Sequence, residues 1–202
     1  MKNLLPRIQF ELEGLYQFKL DQRVEDFCVY APTQGERFLI REAPASLDLA
    51  LCLNKKSLQN LERKDPFAIL KQEDLNDFCT TIEGVSHFLY FLKKFHDYSP
   101  VTQLELELQA EIDKYLFVAL LYYRQNQTIP HSLLHLLFEN IRLLPGLTQE
   151  QQERYRTANQ LASKFCAFLE KYLLAMDWLP LLTHAREFYR KNHWGKLRQL
   201  IP

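Results

Sequence analysis

The stretch DLNDFCTTIEGVSHFLYFLKKF, Asp74 to Phe95, decides the fold class. Phe78, Ile82, Val85, Leu89 and Leu92 recur at steps of three and four, the period of one apolar helix face. Tyr98-Ser99-Pro100 closes this helix, and Thr102 followed by Glu105 is the pattern of a capping box opening a second one, which runs to about Tyr123. Arg124 to Thr128 is a polar connector. Pro130 suits a helical first turn, predicting a third helix over His131–Leu143 that stops at Pro145-Gly146. Thr148 with Gln151 repeats the capping signal and opens a long fourth helix, with Ala158, Leu161, Phe165, Phe168, Leu169 and Tyr172 inward. A last helix is expected over Leu181–Lys191 after Pro180, and His193-Trp194-Gly195-Lys196 reads as a loose tail. Short connectors predict antiparallel neighbours.

Working back toward the N-terminus, Ser57 to Glu62 reads as a short helix ended before Asp65-Pro66, because the residue ahead of proline disfavours helical backbone. Before that the period changes. Phe27-Cys28-Val29-Tyr30, Phe38-Leu39-Ile40 and Leu47 to Leu53 carry strand-type residues, with Pro32 to Gly35 and Ala43 to Ser46 as connections. Gln9 to Tyr16 fits an opening strand and a short helix equally. The expectation is one compact α+β domain over residues 1–202. A small antiparallel sheet in the sheet-rich part, 1–56, packs on a mainly antiparallel helical body, 57–202.

The chain of 202 residues is long enough for one sizeable core, and its 25 basic and 25 acidic residues give no net field to attract a polyanion. Met1 to Pro6 lack the apolar core of a signal peptide, and no window offers about 18 uninterrupted apolar residues for a membrane span. These features predict a soluble cytoplasmic protein without integral membrane association. Cys28, Cys52, Cys79 and Cys166 are widely spaced among apolar neighbours, which predicts free thiols rather than a zinc or disulfide framework. P-loop, dinucleotide and GxSxG signatures are absent.

The sharpest chemical constellation pairs Glu83 with His87 and His131 with His135, each four residues apart and therefore on one helix face. Glu107 and Glu111 repeat that spacing in the helix between. Imidazole and carboxylate donors suit zinc, iron or manganese. A metal-dependent enzyme would hold its ion with His87, His131, His135 and Glu83 or Glu111, leaving Glu107 as the proton-transfer group. Angular placement opposes this reading. Glu83, His87, Tyr90 and Lys94 lie opposite the apolar arc of their helix, as do His131, His135, Glu139 and Arg142 of theirs, so both faces read as wet. Glu105, Gln109 and Asp113 share one side of the second helix, and Glu107, Glu111 and Lys114 another; Lys94 and Arg142 are candidate partners across helices.

Toward the C-terminus, Arg186, Arg190, Lys191, Lys196 and Arg198 outnumber Glu187, with Tyr189 and Trp194 interleaved. This mixture reads as a docking face. An acidic protein surface or a second copy of the chain is the expected partner, and weak nucleic-acid binding is the alternative. The leading expectation is a noncatalytic interaction or regulatory module.

Overall fold

The computed structural model describes residues 4–31, 36–43, 46–139, 143 and 145–201. Eight helices are described: α1 (Leu4–Tyr16), α2 (Lys55–Lys64), α3 (Leu75–His96), α4 (Gln103–Asn126), α5 (Leu133–Phe138), α6 (Gln149–Leu174), α7 (Trp178–Arg190) and α8 (His193–Leu200). Three strands, β1 (Cys28–Ala31), β2 (Arg37–Ala43) and β3 (Ser46–Asn54), form one sheet in the order β1-β3-β2. The α+β class stands.

The sheet is mixed rather than purely antiparallel. β2 and β3 form an antiparallel hairpin, Ala43 opposite Ser46, whereas β1 lies parallel to the end of β3, Cys28 opposite Leu51. β3 takes the centre because Leu51 and Leu53 face the helices and need cover. They meet α3 at Gly84, where an added Cβ would lie 2.9 Å from Leu51 Cδ1. A glycine in mid-helix costs about 1 kcal/mol of helix propensity. Here it allows the sheet and helix to approach closely.

Gln9 to Tyr16 belongs to a helix, which opens the otherwise sheet-rich N-terminal portion. Leu5, Ile8, Leu12 and Leu15 line its inner face at helical spacing. α2 ends where Asp65 adopts a left-handed conformation, φ 52°, just ahead of Pro66. The capping boxes of Thr102 with Glu105 and Thr148 with Gln151 are both formed. The expected third helix is realised as the short α5; residues 140–142 and 144, Arg142 among them, fall outside the described residues, as do 32–35 and 44–45 of the predicted connections. The supposed loose tail is helix α8, whose N-terminus is capped by Asn192 Oδ1 accepting from Gly195 N at 2.9 Å.

α4 crosses the centre, packed between α3 and α6, with α1 and α7 closing one side. Ring contacts continue from Phe67–Phe78–Phe117 in one region to Phe165–Phe188 in another. The free cysteines are Cys79 and Cys166, buried, and Cys28 and Cys52, half-buried. No helix among the described residues is long and apolar enough to cross a membrane.

Candidate functional site

Because α4 is enclosed on two sides, Glu105, Gln109, Asp113 and Lys114 are buried, and Glu107 and Glu111 are half-buried. They form two clusters. In the first, His87 of α3 is 5% exposed and stands between two carboxylates, with Nδ1 3.2 Å from Glu36 Oε1 and Nε2 3.3 Å from Glu107 Oε2. Glu36 immediately precedes β2, so this contact ties the sheet to the helical body. Beside it Lys114 bridges Glu83 of α3 and Glu111 of α4, with Nζ 2.9 Å from Glu111. Tyr155 of α6 adds a hydroxyl to Glu107.

Burial alone would lower the pKa of His87, but Glu36 and Glu107 outweigh it and hold the imidazole well above its ordinary value. Lys114 follows the same rule, raised by Glu83 and Glu111 against burial. Burial raises Glu111, with Lys114 opposing. An imidazolium held in this way has no lone pair to offer a metal or a substrate proton. The lysine ammonium also occupies the space between Glu83 and Glu111 where a cation would sit. Among the described residues, no group of three or more His, Cys, Asp or Glu side chains is placed to hold a metal ion.

The second cluster is built on the adjacent face of α4. Asp113 accepts hydrogen bonds from the Tyr16 hydroxyl, from Ser86 Oγ at 2.5 Å and from Gln109 Nε2 at 2.7 Å. Burial raises its pKa to about 6 against those three donors. Glu105, 1% exposed, accepts from the Tyr90 hydroxyl at 3.0 Å, and Lys94 Nζ lies 3.9 Å away while donating to Lys191 O at 2.8 Å. Lys196 of α8 is fully enclosed. Its Nζ donates to Gln109 Oε1 at 2.6 Å and lies 4.3 Å from the Tyr90 ring centroid and 5.0 Å from that of Phe188. Burial lowers Lys196 to about 7, with Glu105 opposing.

These positions revise several sequence expectations. Glu83, His87, Glu107 and Glu111 do come together, whereas His131 and His135 do not join them: both are exposed, and His135 pairs with Glu139 on its own helical turn. The predicted wet face bearing His87, Tyr90 and Lys94 is buried, because α3 is covered by the sheet on one side and α4 on another. Of the C-terminal docking residues, Tyr189 and Lys196 are interior, Tyr189 stacking on Tyr16 at 3.9 Å between ring centroids. Arg186 Nε donates to Leu15 O at 2.8 Å. Arg190, Trp194 and Arg198 are exposed, and half-buried Lys191 reaches Gln199 at 2.5 Å. Glu36 and Tyr155 were not signalled in the sequence, since each joins the cluster from a distant segment with no motif of its own.

Two open grooves are lined by residues of neither cluster. One of about 390 Å³ is lined by Gln9, Phe10, Glu13, Lys19 and Arg23, and the other, about 400 Å³, by Phe138, Asn159, Gln160, Ser163 and Lys164. The chain matches no family model, no curated protein and no solved structure.

Proposed function

We propose that this protein is a noncatalytic interaction module that docks an acidic protein partner on the end of the molecule where α8 meets the α3–α4 turn. One observation carries the reading: Trp194 is 67% exposed one turn from exposed Arg198 on α8, Arg190 is exposed at the end of α7, and Tyr98 is 97% exposed in the α3–α4 turn. Contacts between the two segments support treating them as one surface, with Lys94 donating to Lys191 O and Thr102 Oγ1 lying 3.1 Å from His193 Nδ1. Exposed aromatic residues beside arginines are the composition of binding hot spots. The test is selection from a random peptide library on the immobilised protein. Enrichment of acidic peptides with an aromatic or aliphatic anchor is expected, and Arg190→Glu with Arg198→Glu should abolish it. A library that enriches nothing overturns the reading. If a labelled single-stranded oligonucleotide instead binds with a steep salt dependence lost in the same variant, nucleic acid is the partner.

The metal-dependent alternative draws support from the meeting of Glu83, His87, Glu107 and Glu111 around α3 and α4. It requires His87 to lose its proton and Lys114 to leave its carboxylates. Elemental analysis of chelator-free protein decides it: near-integral zinc, iron or manganese per chain, lost on His87→Ala, would establish the alternative, and metal-free folded protein would reject it.

A further inference from the structure

α8 has two faces with different chemistry. Trp194 and Arg198 point to solvent, while Lys196, between them in sequence, is enclosed. A helix of eight residues does not hold its shape alone, so whatever seats Lys196 also decides whether α8 is folded. The other anchors are modest: Leu200 is buried, Leu197 packs against the core from the rim, and His193 Nδ1, at the start of α8, lies 3.1 Å from Thr102 Oγ1 and 4.0 Å from Glu105 Oε2.

The seat of the Lys196 amine is incompletely furnished for a cation. An ammonium carries three donors. Among the described residues it has one hydrogen bond, to Gln109, and two aromatic faces, Tyr90 and Phe188. α3 presents Tyr90 and Lys94, α4 presents Glu105, Gln109 and Asp113, and α7 presents Phe188 and Tyr189. α1 reaches the network through Tyr16, which contacts Gln109 and Asp113, and α6 adds the Cys166 thiol near Asp113. The two carboxylates are already engaged, Glu105 with Tyr90 and Thr102, and Asp113 with Tyr16, Ser86 and Gln109. Neither forms a close ion pair with Lys196. The seat suits a neutral amine better than an ammonium.

We propose that Lys196 is a proton-sensitive latch: when its buried amine takes up a proton, α8 loosens from the body, and the docking face that α8 carries is weakened. This assignment of what the latch governs rests on the interaction reading above. The sign follows from burial lowering the folded-state pKa from 10.5 to about 7. The latch is at full strength above the unfolded value and weakens as pH falls to the folded one. Between pH 8 and pH 6 that shift corresponds to an increase of about tenfold in the opening constant of α8.

Hydrogen exchange of the α8 amides from Lys196 to Ile201, in the full chain and corrected for intrinsic rates, measures this opening without any partner. The expected result is opening about tenfold greater at pH 6 than at pH 8, with α4 amides showing no comparable change. Lys196→Met should remove the pH dependence while α8 stays protected, and Lys196→Gln provides a second variant should the apolar side chain unfold the helix. A pH response that survives both substitutions, or α8 opening equal at the two pH values in the unaltered protein, overturns the latch. The library experiment fails or succeeds independently. A pH-dependent α8 together with no enriched peptide would establish the latch and reject the docking role.

Discussion

Both clusters place cations beside α4, yet protons are held in one and released in the other. For His87, Lys114 and Lys196 alike, burial is the largest influence and disfavours the charged form. His87 and Lys114 overcome it because each contacts two carboxylates within 3.3 Å. Lys196 contacts a neutral amide and two rings instead. Equal depth therefore does not set the protonation state of these cations; what decides is whether the neighbouring carboxylates are free to form contact pairs. Glu105 and Asp113 spend their oxygens on hydroxyl, amide and backbone donors, so their charge reaches Lys196 only from a distance.

The largest expected effect comes from breaking the paired cluster. Lys114→Met leaves Glu83 and Glu111 facing each other with most of their surface buried, and should cost about 3 kcal/mol or more in urea unfolding at pH 7. Replacing the three together, Lys114→Met with Glu83→Gln and Glu111→Gln, should recover much of that loss, since no buried charge is then stranded. Equal losses in the single and triple variants would show that packing, not charge, dominates. His87 supplies the pH arm. Its folded-state pKa is raised, so its contribution is fully present below the ordinary value of 6.5 and disappears as pH rises through the folded value. A urea-midpoint series should therefore decline on the alkaline side, a trend absent in His87→Gln, and imidazole nitrogen spectra at pH 7.5 should show both ring nitrogens protonated.

A smaller effect is expected where the sheet meets this cluster. Gly84→Leu forces Leu51 and Leu53 away from α3 and should cost about 1–3 kcal/mol. If moving β3 also disturbs the start of β2, the His87–Glu36 contact lengthens and the alkaline decline of His87 becomes shallower. An unchanged pH profile would show that the two contacts act independently.

The helical part of the fold was legible because its signals are local. Capping boxes at Thr102 and Thr148 and the apolar period of Asp74–Phe95 concern residues within a turn or two of one another. The parallel β1–β3 pairing was not legible, since it joins Cys28 to Leu51 and depends on which strand the helices cover. The wet-face reading of His87, Tyr90 and Lys94 failed for a related reason. α3, covered by the sheet on one side and α4 on another, carries one apolar stripe and one polar stripe, and the polar stripe resembles a solvent face until the partner helix is known. Glu83 with His87 and Glu107 with Glu111 were found by spacing, and those four did meet; His131 and His135 had the same spacing and stayed outside. Periodicity shows which residues share a helix face but not what covers that face.

The effect at Lys196 should change sign with pH. Lys196→Met keeps most of the side-chain volume and the contact with Tyr90 and Phe188 but leaves Gln109 Oε1 without its donor, a loss of about 1 kcal/mol. Above the unfolded value of 10.5 the amine is neutral in both folded and unfolded chains, so the variant should be the less stable protein by about that amount. As pH falls toward 7 the native chain bears an increasing cost for a proton its unfolded state would hold freely, while methionine bears none. The two stability curves should therefore converge as pH falls below 10.5 and cross at about pH 10, well before the folded value of about 7 is reached. Parallel curves would mean that Glu105 and Asp113 neutralise Lys196 as fully as Glu83 and Glu111 neutralise Lys114, and the contrast between the two clusters would vanish. Crossing curves would confine proton release to the helix that also presents Trp194 and Arg198.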